Sequence, residues 1–277
     1  MVAHPQVPHP VPARSSLRLA YAFSLGIAVL TAVASAAGLI FPTAVYPTDE
    51  LRRAFVPNDV VNLLIGLPIL IGSMMLAARG KLVGWLFWPG ALMFFLYNYL
   101  IYLFCMPPQW EYLLYPALVA ASAYTLIGLV AALDADAIQA RLSGAVPARL
   151  CGGVLAGLGA LFLLRVIGIM AGSPDGLAKT EFAVNIADVL ISPAWIVGGV
   201  LLWRRKALGY AGGLGLLFSL SMLFIGLIFI FLLEPFRTGS SFRWPDMLVI
   251  LVMGMIAFVP FFLFLRGVAG GHRTRSA

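Results

Sequence analysis

Apolar runs of about twenty residues, split by short polar links, recur from one end of the chain to the other. The first run covers 17–41 and stops at Pro42. The second, 58–78, opens on a polar trio, Asn58, Asp59 and Asn62, and is interrupted by Gly66 and Pro68. Only Arg79-Gly80-Lys81 separates it from the third, 82–105, so the two must fold back as a tight antiparallel hairpin. A fourth run, 112–133, precedes the polar segment 134–149. Then come 150–171, 181–203, 207–233 and 246–265, with a second tight basic link, Arg204-Arg205-Lys206, between the sixth and seventh runs. Runs of this length match the hydrocarbon thickness of a bilayer. With no water there, a helix is the element that satisfies its own backbone. The pattern predicts an all-α integral membrane protein with eight transmembrane helices. Its segments are a Pro-rich disordered cytoplasmic tail at 1–16, a first four-helix membrane unit at 17–133, a cytoplasmic connection at 134–149, a second four-helix membrane unit at 150–265 and a basic cytoplasmic tail at 266–277.

The second and third runs resemble the sixth and seventh. At an offset of 125, Pro68 meets Pro193, Arg79 meets Arg204, Lys81 meets Lys206, Gly84 meets Gly209 and Gly90 meets Gly215. Four helices per unit is an even number, so both units share one orientation. The expected relation is a pseudo-two-fold axis along the membrane normal. The polar residues follow less strictly: Asp59 and Asn62 correspond to Asn185 and Asp188 at an offset of 126, with the residue types exchanged. No similar match links the first run to the fifth or the fourth to the eighth.

Composition agrees with this reading. The chain is 62% hydrophobic and 10% charged, where soluble domains carry about a quarter charged residues. The net charge of +7 is dispersed between apolar runs, so it signals topology and not a nucleic-acid surface. Twelve lysines and arginines fall on the side of the tails, the two basic links and segment 134–149, against five on the other side. The positive-inside rule then predicts a multi-pass protein of the cell membrane with both termini cytoplasmic. The expected partners are the lipid bilayer and a small solute or ion. Nucleic acid is not expected, and these residues do not fix an oligomeric state.

Chemistry is sparse. Cys105 and Cys151 are the only cysteines and fall at opposite membrane faces, which excludes a disulfide between them. The three histidines, His4, His9 and His272, lie in the tails. No metal-ligand spacing, P-loop, GxSxG or HExxH occurs. No catalytic residue, metal ligand or cofactor is therefore expected, and an enzyme is the least favoured class.

What stands out is the polar set within the runs: Asp59, Asn62, Asn98, Arg165, Asn185 and Asp188. Asp59 and Asn62 share a helix face, as do Asn185 and Asp188. Asp59 at a helix start reads first as a capping acid. Asp188 lies two turns into its helix, where an ionisable group needs a partner or water. Arg165 lies at similar depth, and Asp188 is its expected ion-pair partner, with Asp59 second. Tyr97 and Asn98 place further polar groups on the third run, and Tyr102 reads as an interfacial anchor. Gly153-xxx-Gly157 reads as a close-packing face. Two readings remain open. In one, the six residues line a site in the outer half of the bundle that binds or transports a small solute or ion, with Pro68 and Pro193 loosening the helices beside it. In the other, they are interhelical contacts of a non-transporting membrane subunit or sensor.

Overall fold

The computed structural model describes residues 14–108, 110–172, 176–238 and 241–270; most of the tail at 1–16 and the end of the tail at 266–277 lie outside them. Helix α1 is Arg14–Ile40 and α2 the short Pro42–Val45. Then α3 (Asp49–Val61), a π turn (Asn62–Gly66) and α4 (Leu67–Ala78) run on as one span, Asp49–Ala78. Helix α5 is Leu82–Cys105, and a 3-10 turn (Trp110–Leu113) leads into α6 (Leu114–Ala132). Helix α7 (Ala135–Leu142) is a short amphipathic piece within the 134–149 connection. The rest is α8 (Ala148–Gly172), α9 (Lys179–Trp203), α10 (Ala207–Thr238) and α11 (Trp244–Gly270). There is no strand, and eight helices are long and apolar enough to cross a membrane, among the described residues.

The second span starts earlier than its polar pattern suggests. Thr48 is its N-cap, its Oγ1 accepting from the Leu51 N–H, and Asp49 and Glu50 occupy the first turn, where the helix dipole favours acids. Pro57, which falls between the first and second apolar runs, lies inside α3. Pro68 is accommodated differently. In a regular helix its ring would press on the carbonyl four residues back. Here the Leu67 N–H reaches Asn62 O, five residues back, and the turn before the proline is widened.

Both basic links end their helices in the same way. Lys81 N bonds Leu76 O at 2.9 Å, and Lys206 N bonds Leu201 O at 2.8 Å. Gly80 and Arg205 supply the left-handed residue that this Schellman arrangement requires, at φ 69° and 55°.

Helix α5 is the centre of the bundle, with 78% of its apolar window buried against 22–44% for the other seven spans. It touches α4, α6, α9 and α10. Helices α1, α3–α4, α5 and α6 close on one another, as do α8, α9, α10 and α11, and the two groups meet chiefly where α5 crosses α10. That crossing is backbone on backbone. A Cβ on Gly90 would lie 2.5 Å from the Gly215 Cα.

The glycine face expected on α8 is displaced by one residue. A Cβ added to Gly153 or Gly157 would have nothing within 4 Å, whereas one on Gly152 would meet Gly199 O at 2.5 Å. One residue is a rotation of about 100°, so Gly152 faces α9. The two cysteines are free and buried.

Candidate functional site

Helix α5 carries Tyr97 and Asn98 side by side, and each joins a different polar network. The first network centres on Asp59, 1% exposed. Its Oδ2 accepts from the Tyr46 hydroxyl at 2.6 Å and its Oδ1 from the Tyr102 hydroxyl at 3.0 Å. The Asn58 amide donates to the Tyr102 oxygen at 3.4 Å. On the opposing helix α1, only glycine leaves room for the carboxyl, because a Cβ on Gly38 would overlap Oδ2. One turn along, Asn98 Nδ2 donates to Asn62 Oδ1 at 2.9 Å, and Asn62 Nδ2 donates to Ser35 Oγ at 3.3 Å. Rings of Phe55, Tyr99 and Tyr115 pack around Tyr102. Among the described residues no basic side chain lies within ion-pair distance of Asp59.

The second network centres on Asp188, which is fully buried. Arg165 Nη2 lies 2.8 Å from its Oδ2 and also donates to Asn185 Oδ1 at 2.9 Å. The Tyr97 hydroxyl donates to Asp188 Oδ1 at 2.9 Å. Arg165 leaves α8 seven residues before Gly172, about 10 Å from that helix end at the standard rise. Its side chain keeps 39% of its surface outside the bundle. The guanidinium thus reaches inward to the acid from the rim of the fold. Asn185 Nδ2 is buried without a hydrogen-bond partner.

Two expectations change. Asp59 is not a capping acid: it stands ten residues into its helix, and Asp49 and Glu50 hold the first turn. The hydrogen bonds also divide the six residues into two sets. Asp59, Asn62 and Asn98 form one network, and Arg165, Asn185 and Asp188 form another, with no hydrogen bond between the two sets among the described residues. The ion pair of Arg165 with Asp188 is present at the depth expected from the two helices. Sequence reasoning missed the phenols. Tyr102, read as an interfacial anchor, is 3% exposed and serves a carboxylate, as do Tyr97 and Tyr46. The available signal was that two buried acids need donors and that Tyr97 and Tyr102 lie at their depth.

An open groove of about 570 Å³ lies between the starts of α3 and α9 and the side of α10, lined by Asp49, Glu50, Arg53, Ala54, Thr180, Glu181, Val184 and Ile230. Glu50 Oε1 accepts from both the N–H and the hydroxyl of Thr180 across it. Val184 precedes Asn185 and stands one turn before Asp188, but neither buried carboxylate lines the groove. No group of three or more His, Cys, Asp or Glu residues that could hold a metal ion occurs among the described residues. The two networks present charge and hydrogen-bonding groups: a neutralised carboxylate beside an arginine, and a carboxyl held by phenols. No protein-family model, curated protein or solved structure matches the chain.

Proposed function

We propose that the protein is a multi-pass protein of the cell membrane, with both termini cytoplasmic, that binds and transports a small solute or ion through polar residues in the outer half of its bundle. The observation that carries this reading is the pair of acids, Asp59 and Asp188, each at most 1% exposed within otherwise apolar helices. An ionisable side chain at such depth is costly, and where it is kept it marks an ion or substrate path by default. The backbone beside the first of them is also irregular. The π turn begins at Asn62 and leads to Pro68, and Pro193 lies inside α9 about one turn and a half from Asp188. Irregular turns of this kind accompany solute sites in transporters.

The same reading includes two four-helix units related by a pseudo-two-fold axis along the membrane normal. Matching hairpins support it, and so do Gly84 and Gly209. A Cβ on either would collide with a backbone nitrogen one hairpin arm away, that of Ala77 for Gly84 and of Leu202 for Gly209. Gly90 and Gly215, equivalent in sequence, face each other where such an axis would pass. The π turn also accounts for the broken register. From Asn62 to Pro68 there are six steps and from Asp188 to Pro193 only five, and one extra residue is what a π turn accommodates.

A second reading, a non-transporting membrane subunit or sensor, is favoured by one observation: Asp188 is dry and already paired with Arg165. Cysteine accessibility separates the two. In a background lacking Cys105 and Cys151, Asn185→Cys on intact cells should react with a membrane-impermeant thiol reagent, while Ser219→Cys, buried in α10, should not. An inert Asn185→Cys would leave the subunit or sensor reading. Orientation has its own test. Reporter fusions after Arg79 and after Arg141 should report the cytoplasm, and one after Glu50 the outside. An outside signal at Arg141 would remove the four-plus-four arrangement.

A further inference from the structure

The two buried acids are neutralised by different means. Asp188 has the Arg165 guanidinium at 2.8 Å. Asp59 has no cation within ion-pair distance among the described residues, only the hydroxyls of Tyr46 and Tyr102. A bare carboxylate in so dry a place is far less stable than a neutralised one. A metal ion, an organic cation or a proton would neutralise it, and the distances select among them. The Tyr46 and Tyr102 oxygens are in direct contact with the carboxyl at 2.6 and 3.0 Å, and Gly38 closes the remaining side so tightly that a methyl group would overlap Oδ2. A metal ion held by oxygens at about 2.3–2.6 Å would have to push these contacts apart. An organic cation needs more room still. A proton needs none.

We propose that Asp59 is a proton-binding site, whose carboxylate takes up one proton from water on the outer side to become the neutral acid and returns it by the reverse step. This rests on the ion-binding reading above and names the ion. Both charge states are hydrogen-bonded without any heavy atom moving. In the ionised state Tyr46 and Tyr102 donate to Oδ2 and Oδ1. In the protonated state the new O–H on Oδ2 donates to the Tyr46 oxygen, whose own hydroxyl hydrogen rotates away. Tyr102 keeps donating to Oδ1 while its oxygen receives the Asn58 amide. Tyr46, itself buried, belongs to the link between α2 and α3, and the residues after it, Pro47 and Thr48, are exposed, so the partner of Asp59 comes from a segment that reaches the surface.

The groups around Asp59 leave it electrostatically alone. Helix α1 presents Ser35 and Gly38, α5 presents Tyr99 and Tyr102, and α6 presents Tyr115 behind them. On its own helix the nearest bases are Arg52 and Arg53. Arg52 is held by Asp49 and by the Tyr46 carbonyl, and Arg53 lines the groove. Glu181 of α9 faces that groove too, and Glu234 of α10 pairs with Arg243.

The test is infrared difference spectroscopy of the full chain in bilayers, between acidic and alkaline buffer. The expected result is a component of the protonated-carboxyl C=O signal that stands apart from that of the exposed acids, appears and vanishes reversibly with pH and is lost in Asp59→Asn. In Tyr46→Phe, which keeps the acid and removes its partner, the band should persist at a shifted frequency. That variant carries the test even where Asp59→Asn fails to fold. A buried-carboxyl component that survives Asp59→Asn, one unmoved by Tyr46→Phe, or a signal that comes from the exposed acids alone would overturn the proposal. A labelled Asn185→Cys with no such band would leave a solute site without this proton. The band with an inert Asn185→Cys would leave a proton site in a protein that does not transport.

Discussion

Gly90→Ala and Gly215→Ala are each expected to lower the thermal unfolding midpoint and the folded yield sharply, whereas Gly72→Ala and Gly157→Ala are not. Helix propensity alone predicts stabilisation at all four, since alanine is favoured over glycine by about 1 kcal/mol in a helix interior. Space decides the sign. A Cβ on Gly90 would lie 2.5 Å from the Gly215 Cα, and one on Gly215 would lie 2.9 Å from the Gly90 N. The neighbour in each case is backbone, which cannot swing aside as a side chain can. Overpacking typically costs about 1–3 kcal/mol and more where nothing yields. With the propensity gain set against it, a net loss on the order of 2 kcal/mol is expected. A Cβ on Gly72 or Gly157 has nothing within 4 Å, so alanine there should be neutral or mildly stabilising. The double change Gly90→Ala with Gly215→Ala should cost less than the sum, because the first methyl already forces the helices apart. Unfolding of purified variants in one detergent measures all five. A Gly90→Ala protein as stable as its parent would mean that α5 and α10 do not meet backbone to backbone.

Much of the fold is legible in the sequence because apolar length is a strong signal. Eight runs correspond to eight long helices, and the hairpin links fall at Arg79-Gly80-Lys81 and Arg204-Arg205-Lys206. Depth along a helix is legible too, which is why Arg165 and Asp188 can be matched. Rotation about the helix axis and the weight of a proline are not. Pro57 reads as a stop, although proline is tolerated in helices of this kind. Thr48, Asp49 and Glu50 form a good helix start that the apolar pattern alone does not reveal. Gly153 and Gly152 differ only in azimuth, and composition cannot choose between them. The π turn is visible only as a one-residue disagreement between offsets of 125 and 126. Six polar residues at similar depth read as one site. They form two hydrogen-bonded sets because α5 stands between them, and its central position is a property of packing.

The second large effect is expected at Arg165. Truncating it to alanine would leave the Asp188 carboxylate buried, with Tyr97 as its remaining donor. Removing one member of a buried ion pair costs about 3–5 kcal/mol, mostly because the other charge is stranded. Arg165 keeps 39% of its side chain outside the bundle, so the lower end of that range, about 3 kcal/mol, is expected. Asp188→Asn removes the stranded charge while its amide oxygen still accepts from Tyr97. Adding it to Arg165→Ala should therefore restore part of the loss. That rescue separates a required charge pair from mere packing of the arginine stem, which no change at Asp188 could repair. The most direct measurement is the unfolding midpoint of the parent, Arg165→Ala and Arg165→Ala with Asp188→Asn under one condition. The account predicts a deep fall for the single variant and a partial return for the double. A double variant no more stable than the single one would contradict it.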